Sequence, residues 1–190
     1  MLAHAMCEEG GGGPVDLLPD EAHAGYHLTY EAGTLAGRNG VALMTSVPPT
    51  ATRVGFAPRE FAHEGRYVEA DLDYPGFALT VASLYLPKGG LPFGTDADPK
   101  KFARKLRFMA SLRAYLTRAR RDASRHGRQF LIMGDFNIAH TGLDVNAPSR
   151  KTRREGFLPQ ERAWFESIVG PRTLVDVVRR LNPNEQGAYS

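Results

Sequence analysis

Apolar and polar positions along the chain divide it into short strands and one long helix. "GVALMTS" (40 to 46) is an apolar run bounded by "GRNG" and by "PPT", which predicts a short strand. "RYVEADLDY" (66 to 74) alternates in its middle as a half-buried strand does, and "FALTVASLYLP" (77 to 87) is longer and more apolar. A Pro-Gly pair separates the two, so they read as a hairpin. The Gly- and Pro-rich loop "KGGLPFGTDADP" follows. Asp98 is suited to cap a helix there, with Pro99 at the favoured first position. From Lys100 to about Arg125, Phe102, Leu106, Met109, Leu112 and Leu116 recur at helical spacing, and the basic residues fall mainly elsewhere on the helix. "FLIMGD" (130 to 135) is apolar throughout, which predicts a central strand. "LPQERAWFESIV" predicts a helix with Pro159 near its start and with Trp164 and Phe165 in the core beside Ile168 and Val169. Strands and helices thus mix along one chain of ordinary domain length, 190 residues.

Composition narrows the class. An apolar fraction of 42% and a charged fraction of 24% are those of a soluble globular protein. Cys7 is the single cysteine, so no internal disulfide framework exists, which suits a reducing compartment. No run is long enough to span a bilayer and no basic, then apolar leader opens the chain, so the expectation is a soluble cytoplasmic protein without a membrane partner.

Charge changes the picture more. The net charge of +3 conceals a split: residues 1 to 37 carry six acidic side chains and no Lys or Arg. Residues 99 to 128 hold eleven basic side chains against Asp122 alone. Arg150, Lys151, Arg153 and Arg154 cluster in "SRKTRREGF". Such density attracts polyanions, and nucleic acid is the first partner to consider, although a solvated helix face is the commoner explanation of a charge run taken alone.

The candidate chemistry lies in "FLIMGDFNIAHTGLDV" (130 to 145), where an apolar strand ends in Gly134 and then presents Asp135 and Asn137. A carboxylate at the carboxyl end of a strand sits where sheet-based folds hold ligands. Carboxylate and amide oxygens are hard ligands, which suit Mg²⁺ or Mn²⁺ rather than zinc. No Walker-type loop, no G-x-S-x-G and no zinc spacing is present. By itself "GDFN" also fits a plain turn.

A set of motifs in order carries the reading further. "LIMGDFNIAHTGLDV" resembles the G-D-x-N-I-A segment of the exonuclease III branch of the endonuclease/exonuclease/phosphatase superfamily, the abasic-site DNA repair nucleases. "GRNGVALMT", "EGRYVEADL", "LTVASLYLPKG", "KKFARKLRFMASLRAYL" and "GFLPQERAWFESIVGPRTLVDVVRRLNPNEQGAYS" resemble further family segments in family order, covering roughly residues 20 to 190. The resemblance implies an α/β sandwich of two face-to-face sheets with helices outside, residues 1 to 190 forming a single but incomplete domain. It implies Asp135 as the group that orients or deprotonates the attacking water. Asn137 and Tyr85 would be phosphate contacts, with Asp135 and Asn137 near a Mg²⁺ or Mn²⁺ ion. Arg66 matches a family arginine that touches substrate, and Glu8 matches the family's metal-binding glutamate by spacing alone. Arg150, Lys151, Arg153 and Arg154 would meet the DNA backbone of a duplex substrate, abasic or damaged at a 3′ end, and the protein is expected to be a monomer. His140 is expected to be a loop histidine bonded to backbone rather than a base.

Some family segments are not found: W-N-V/I-N ahead of these pieces, and W-W, G-x-R-I-D and S-D-H after them. The resemblance therefore implies a site without its Asp-His pair. Three readings follow: a repair nuclease represented by an incomplete chain, a non-catalytic DNA-binding remnant, or a relative acting on a lipid or nucleotide phosphodiester. "GFLPQERAW" and the density of Lys and Arg favour DNA over lipid.

Overall fold

The computed structural model describes residues 2–6 (backbone only), 25–34, 39–56, 58–145 and 154–187. The chain forms two compact units: Met1–Leu86 with Ala114–Phe136, and Pro87–Arg113 with Asn137–Ser190.

The first unit contains both sheets. Strands β1 (Leu2–Met6), β2 (His27–Ala32) and β3 (Gly40–Thr45) form an antiparallel sheet in the order β1-β3-β2. Strands β4 (Ala51–Val54), β5 (Tyr67–Tyr74), β6 (Phe77–Tyr85) and β7 (Arg128–Asp135) form a second sheet in that order. Its ladders are antiparallel except that β6 and β7 run parallel. Val41 and Leu43 of β3 bury themselves against Val68, Ala70, Leu72 and Val81 of the other sheet, which makes the expected sandwich core. The expected hairpin is present: Tyr74 pairs with Phe77 across Pro75 and Gly76, whose φ of +87° suits the tight connection. The Tyr74 and Phe77 rings stack at 4.9 Å.

β4 carries too few apolar residues to be recognised from its pattern. Register explains it: Arg53 faces Glu69 directly across the ladder and also donates to both oxygens of Asp71. Opposite charges on one face of a ladder stabilise the pairing.

β7 is not central. It closes the described strand order, with β6 on one side, and its apolar residues are half-buried. Leu131 and Met133 pack on the sandwich core, while Phe130 and Ile132 alternate onto the other face. A run that is apolar on both faces reports cover above and below the strand, and says nothing about lateral neighbours.

Helix α1 (Pro99–Arg125) starts as its sequence predicts, the Asp98 carboxylate accepting from Lys101 N at 2.9 Å. Its first half belongs to the second unit, together with a 3₁₀ turn (Gly142–Asp144), α2 (Pro159–Ile168) and α3 (Val177–Leu181). Phe102, Phe108, Met109, Leu112, Leu158, Trp164 and Ile168 are buried, and Trp164 Nε1 donates to Met109 O at 2.6 Å. Trp164 is thus a core residue, as expected, while Phe165 is only half-buried.

One side of α1 departs from expectation. Leu106 is half-buried, whereas Lys105 is fully buried. Residues 102, 105, 109, 112 and 116 make the regular three-four stripe, so geometry carries a lysine into the core in place of Leu106.

Candidate active site

In the first unit, β6 and β7 run parallel and finish at the same end of the sheet. Tyr85 and Asp135 are register partners on the last rung, and Leu86 N donates to Asp135 O at 2.8 Å just beyond it. Gly134 makes this approach possible: a Cβ there would lie 2.0 Å from Leu84 O, and its φ is +128°. Arg66 joins them from the start of β5. Its carbonyl accepts from Tyr85 N at 2.9 Å and its Nη1 donates to Tyr85 O at 3.1 Å. The guanidinium lies 5.0 Å from the centre of the Tyr85 ring, tethered by Glu64 at 3.0 Å. The structure therefore brings Tyr85, Asp135 and Arg66 together: a phenol, a carboxylate and a guanidinium, all half-buried. Such a set can offer two donors and a base to a phosphate ester.

Elsewhere in this unit the basic half of α1 lines a cleft of about 930 Å³. Arg118, Arg121 and Arg125 lie along it with Arg53 and Arg128. The positive surface expected of the helix is present, although Arg53 and Arg128 are engaged by Asp71 and Asp73.

In the second unit, Asn137 adopts φ +46°, a left-handed conformation that asparagine tolerates better than most residues. With Lys88, Asp144, Arg154 and Phe157 it lines a cleft of about 380 Å³. The cleft's floor is tied down: Ala139 N donates to Gly156 O at 2.8 Å, and Asp144 closes a capping box with Thr141. Burial works to raise the pKa of Asp144, but the Thr141 amide and hydroxyl and the Arg179 guanidinium outweigh it and hold the carboxyl below its usual range. Arg154 thus shares a cleft with Asn137; Glu8, Arg150, Lys151 and Arg153 lie outside the described residues.

His140 differs from expectation in its partner. Nε2 meets the Glu166 carboxylate of α2, and the ring lies 4.9 Å from that of Phe165. Its anchor is a side chain, not backbone, because α2 presents Phe165 and Glu166 on the side that faces it.

The buried pair Lys105–Glu161, beside Asn137, is a feature that the sequence reading missed. Nζ and Oε1 are 2.6 Å apart and both side chains are fully buried. The signal was present in the 102, 105, 109 spacing, hidden by the habit of placing lysine in water.

Asp135 and Asn137 supply hard oxygen donors, the type that fits Mg²⁺ or Mn²⁺. Among the described residues no group of three or more His, Cys, Asp or Glu side chains could hold a metal ion; Glu8, the further oxygen donor that the resemblance implies, lies outside them. No helix among the described residues is long and apolar enough to cross a membrane.

Comparison with known proteins gives this geometry a family. Over 172 residues the chain is 34% identical to exodeoxyribonuclease III of Haemophilus influenzae, covering 87% of this chain and 60% of that protein. It is 25% identical to a DNA-(apurinic or apyrimidinic site) endonuclease of Dictyostelium discoideum, covering 93% of this chain and 45% of that one. The chain thus spans about 60% or less of the length of these relatives. Among solved structures, an AP endonuclease from Archaeoglobus fulgidus superposes with a TM-score of 0.74 at 24% identity, over 97% of this chain and 65% of that one. That likeness bears out the two-sheet α/β fold. The model of the Endonuclease/Exonuclease/phosphatase family matches residues 8–182, and the chain belongs to that family.

Proposed function

We propose that the protein hydrolyses phosphodiester bonds in DNA in the manner of exonuclease III, either 5′ of an abasic site or stepwise from a 3′ end, in base excision repair. The observation that carries this reading is the last rung of the parallel pair. There Tyr85 and Asp135 are held side by side with Arg66 against the tyrosine, in a chain 34% identical to an exodeoxyribonuclease III. Asp135 orients the attacking water and accepts its proton. Tyr85 donates to the phosphoryl oxygen on which charge develops, and Arg66 adds positive charge beside it. Asn137 contributes its amide to the scissile phosphate, and Arg150, Lys151, Arg153 and Arg154 meet the backbone of the duplex, which positions it without reading its sequence. A divalent cation, Mg²⁺ or Mn²⁺, supplies neutralisation of phosphate charge when bound, with Asp135, Asn137 and Glu8 as its oxygen donors.

The test is cleavage of a duplex oligonucleotide carrying one abasic-site analogue, with Mg²⁺, by residues 1–190 beside Asp135→Ala and Tyr85→Phe. Incision that falls by at least about 100-fold in both variants supports the proposal. No incision, with salt-sensitive binding of the same duplex retained, means that the chain binds DNA without cutting it. Neither cleavage nor binding refutes both.

A further inference from the structure

Lys105 and Glu161 are both fully buried, and such a pair is seldom retained for stability alone. Replacing a buried ion pair by apolar side chains of similar volume is often neutral or stabilising. What an apolar pair cannot do is donate hydrogen bonds, and every proton of the Lys105 ammonium is used. Nζ reaches Glu161 Oε1 at 2.6 Å, Lys88 O at 2.9 Å and Asn137 O at 2.9 Å. Glu161 Oε2 in turn accepts from Leu158 N at 2.8 Å. One ammonium thus ties the segment that follows β6 and the segment that follows β7 to the first turn of α2. The first segment is shaped for it. Gly89 has φ +95°, and a Cβ there would lie 2.6 Å from Lys105 Cδ, so only glycine leaves room for the lysine stem. The second segment needs it. Asn137 follows the end of β7 with φ +46°, a left-handed conformation that asparagine tolerates but that still costs free energy unless its surroundings hold it.

We infer that Lys105, with its charge balanced by Glu161, is a positioning residue for Asn137. It fixes the left-handed backbone at 137 through the carbonyl, and so fixes the direction in which the Asn137 amide leaves the chain. The consequence for catalysis rests on the reading of Asn137 as a phosphate contact; the consequence for the order of Asn137 does not.

The test compares the full chain with Lys105→Met/Glu161→Leu, which keeps volume and removes the donors. Trp164→Phe is the control: it loses a buried hydrogen bond of α2 to Met109 O without touching Asn137. Two readouts are taken, steady-state incision of the abasic-analogue duplex and ¹⁵N relaxation of the Asn137 side-chain amide. Expected for the pair variant are a fall in kcat of about 10- to 100-fold with KM within about twofold, and an Asn137 amide that becomes motionally averaged. Trp164→Phe is expected to leave both near wild type. Equal changes in the two variants, or an Asn137 amide as ordered in the pair variant as in wild type, would overturn the inference. If wild type does not cut DNA, the relaxation readout still decides the positioning role, and only the hydrolase reading falls. Should the apolar pair not fold, Lys105→Gln/Glu161→Gln replaces it. That neutral amide pair falls about one bond short of the two carbonyls, and the same outcomes apply.

Discussion

Replacing Glu31 should remove a loss of stability that sets in as pH rises. Glu31 lies near the end of β2, 9% exposed, with both carboxylate oxygens buried and without a hydrogen-bond partner among the described residues. The turn over residues 58–65 folds onto this end of the strand. Thr34 N donates to His63 O, and Gly65 approaches so closely that a Cβ would lie 2.4 Å from Gly33 N. Burial raises the Glu31 pKa from 4.5 to about 7; the backbone N–H dipoles of Tyr67 and Arg66, which lie nearby but fall short of hydrogen-bond geometry, offset part of this, and the Glu64 charge adds to it. Between those two values the folded state holds a proton that the unfolded state has released, so the contribution of Glu31 to stability falls as pH rises from about 4.5 to about 7 and is level on either side. A displacement of that size is worth about 3 kcal/mol. This is a ceiling, because β2 ends the described strand order and local opening there admits water. Glu31→Gln keeps the shape without the titration. At pH 8 the variant should be more stable than wild type by about 1–3 kcal/mol, and at pH 4 the two should agree within about 0.5 kcal/mol. Urea unfolding at both pH values measures the difference directly, since other titrating groups cancel between variant and parent. A difference that is the same at pH 4 and pH 8, or a variant less stable at pH 8, would refute the reasoning.

Two further outcomes follow from steric and polar detail. Gly134→Ala should cost about 2–5 kcal/mol in thermal or urea unfolding, from a backbone clash with Leu84 O and a left-handed φ. Gly127→Ala, with φ +70° and open space around it, should cost no more than about 2 kcal/mol, and equal losses would show that the close approach of β6 and β7 does not matter. Tyr67→Phe removes the buried hydroxyl that donates to Glu69 Oε2 at 2.6 Å and should lower stability by about 1–3 kcal/mol; no loss would mean that Arg53 and Tyr115 satisfy that carboxylate alone.

What was legible in the sequence was whatever rests on local pattern. β3 and the β5–β6 hairpin announce themselves through apolar runs and a Pro-Gly turn, and α1 through Asp98 and Pro99 at its start. β4 was not legible, because its place depends on Arg53 meeting Glu69 and Asp71 some sixteen to eighteen residues away, which no local window contains. The position of β7 in its sheet was misread for a related reason: alternation of side chains records what covers a strand's faces, while strand order is set by long-range pairing. In the candidate site, Asp135 at a strand's carboxyl end could be read from "FLIMGD", but its pairing with Tyr85 across a parallel ladder could not. Lys105 was hidden by an average. Most lysines are solvated, and only the acceptors at 88, 137 and 161 show why this one is not.

The two kinds of anchoring around Asp135 and Asn137 follow from where regular structure stops. Through Asp135 the chain is held by the parallel ladder, whose backbone bonds fix direction without burying any charge. At Asn137 the ladder has ended and the backbone is left-handed, with φ +46°. The Asn137 carbonyl accepts from a donor outside the sheet, Lys105 Nζ at 2.9 Å. A neutral side chain of α1 would have to span from the helix axis to two loop carbonyls at once, and an amide or hydroxyl is too short to do so. Lysine has the reach and the three protons, but it brings a charge that is costly to bury, and Glu161 is the remedy for that charge. The same carboxylate also satisfies Leu158 N, one of the open donors at the start of α2. Substitutions at 105 and 161 should therefore be non-additive. Losing either partner alone leaves a buried, unpaired charge and costs about 3–5 kcal/mol, whereas losing both costs less than the two single losses together: it leaves no buried charge, only Leu158 N and the carbonyls at 88 and 137 without these partners, and Asn137 is no longer held.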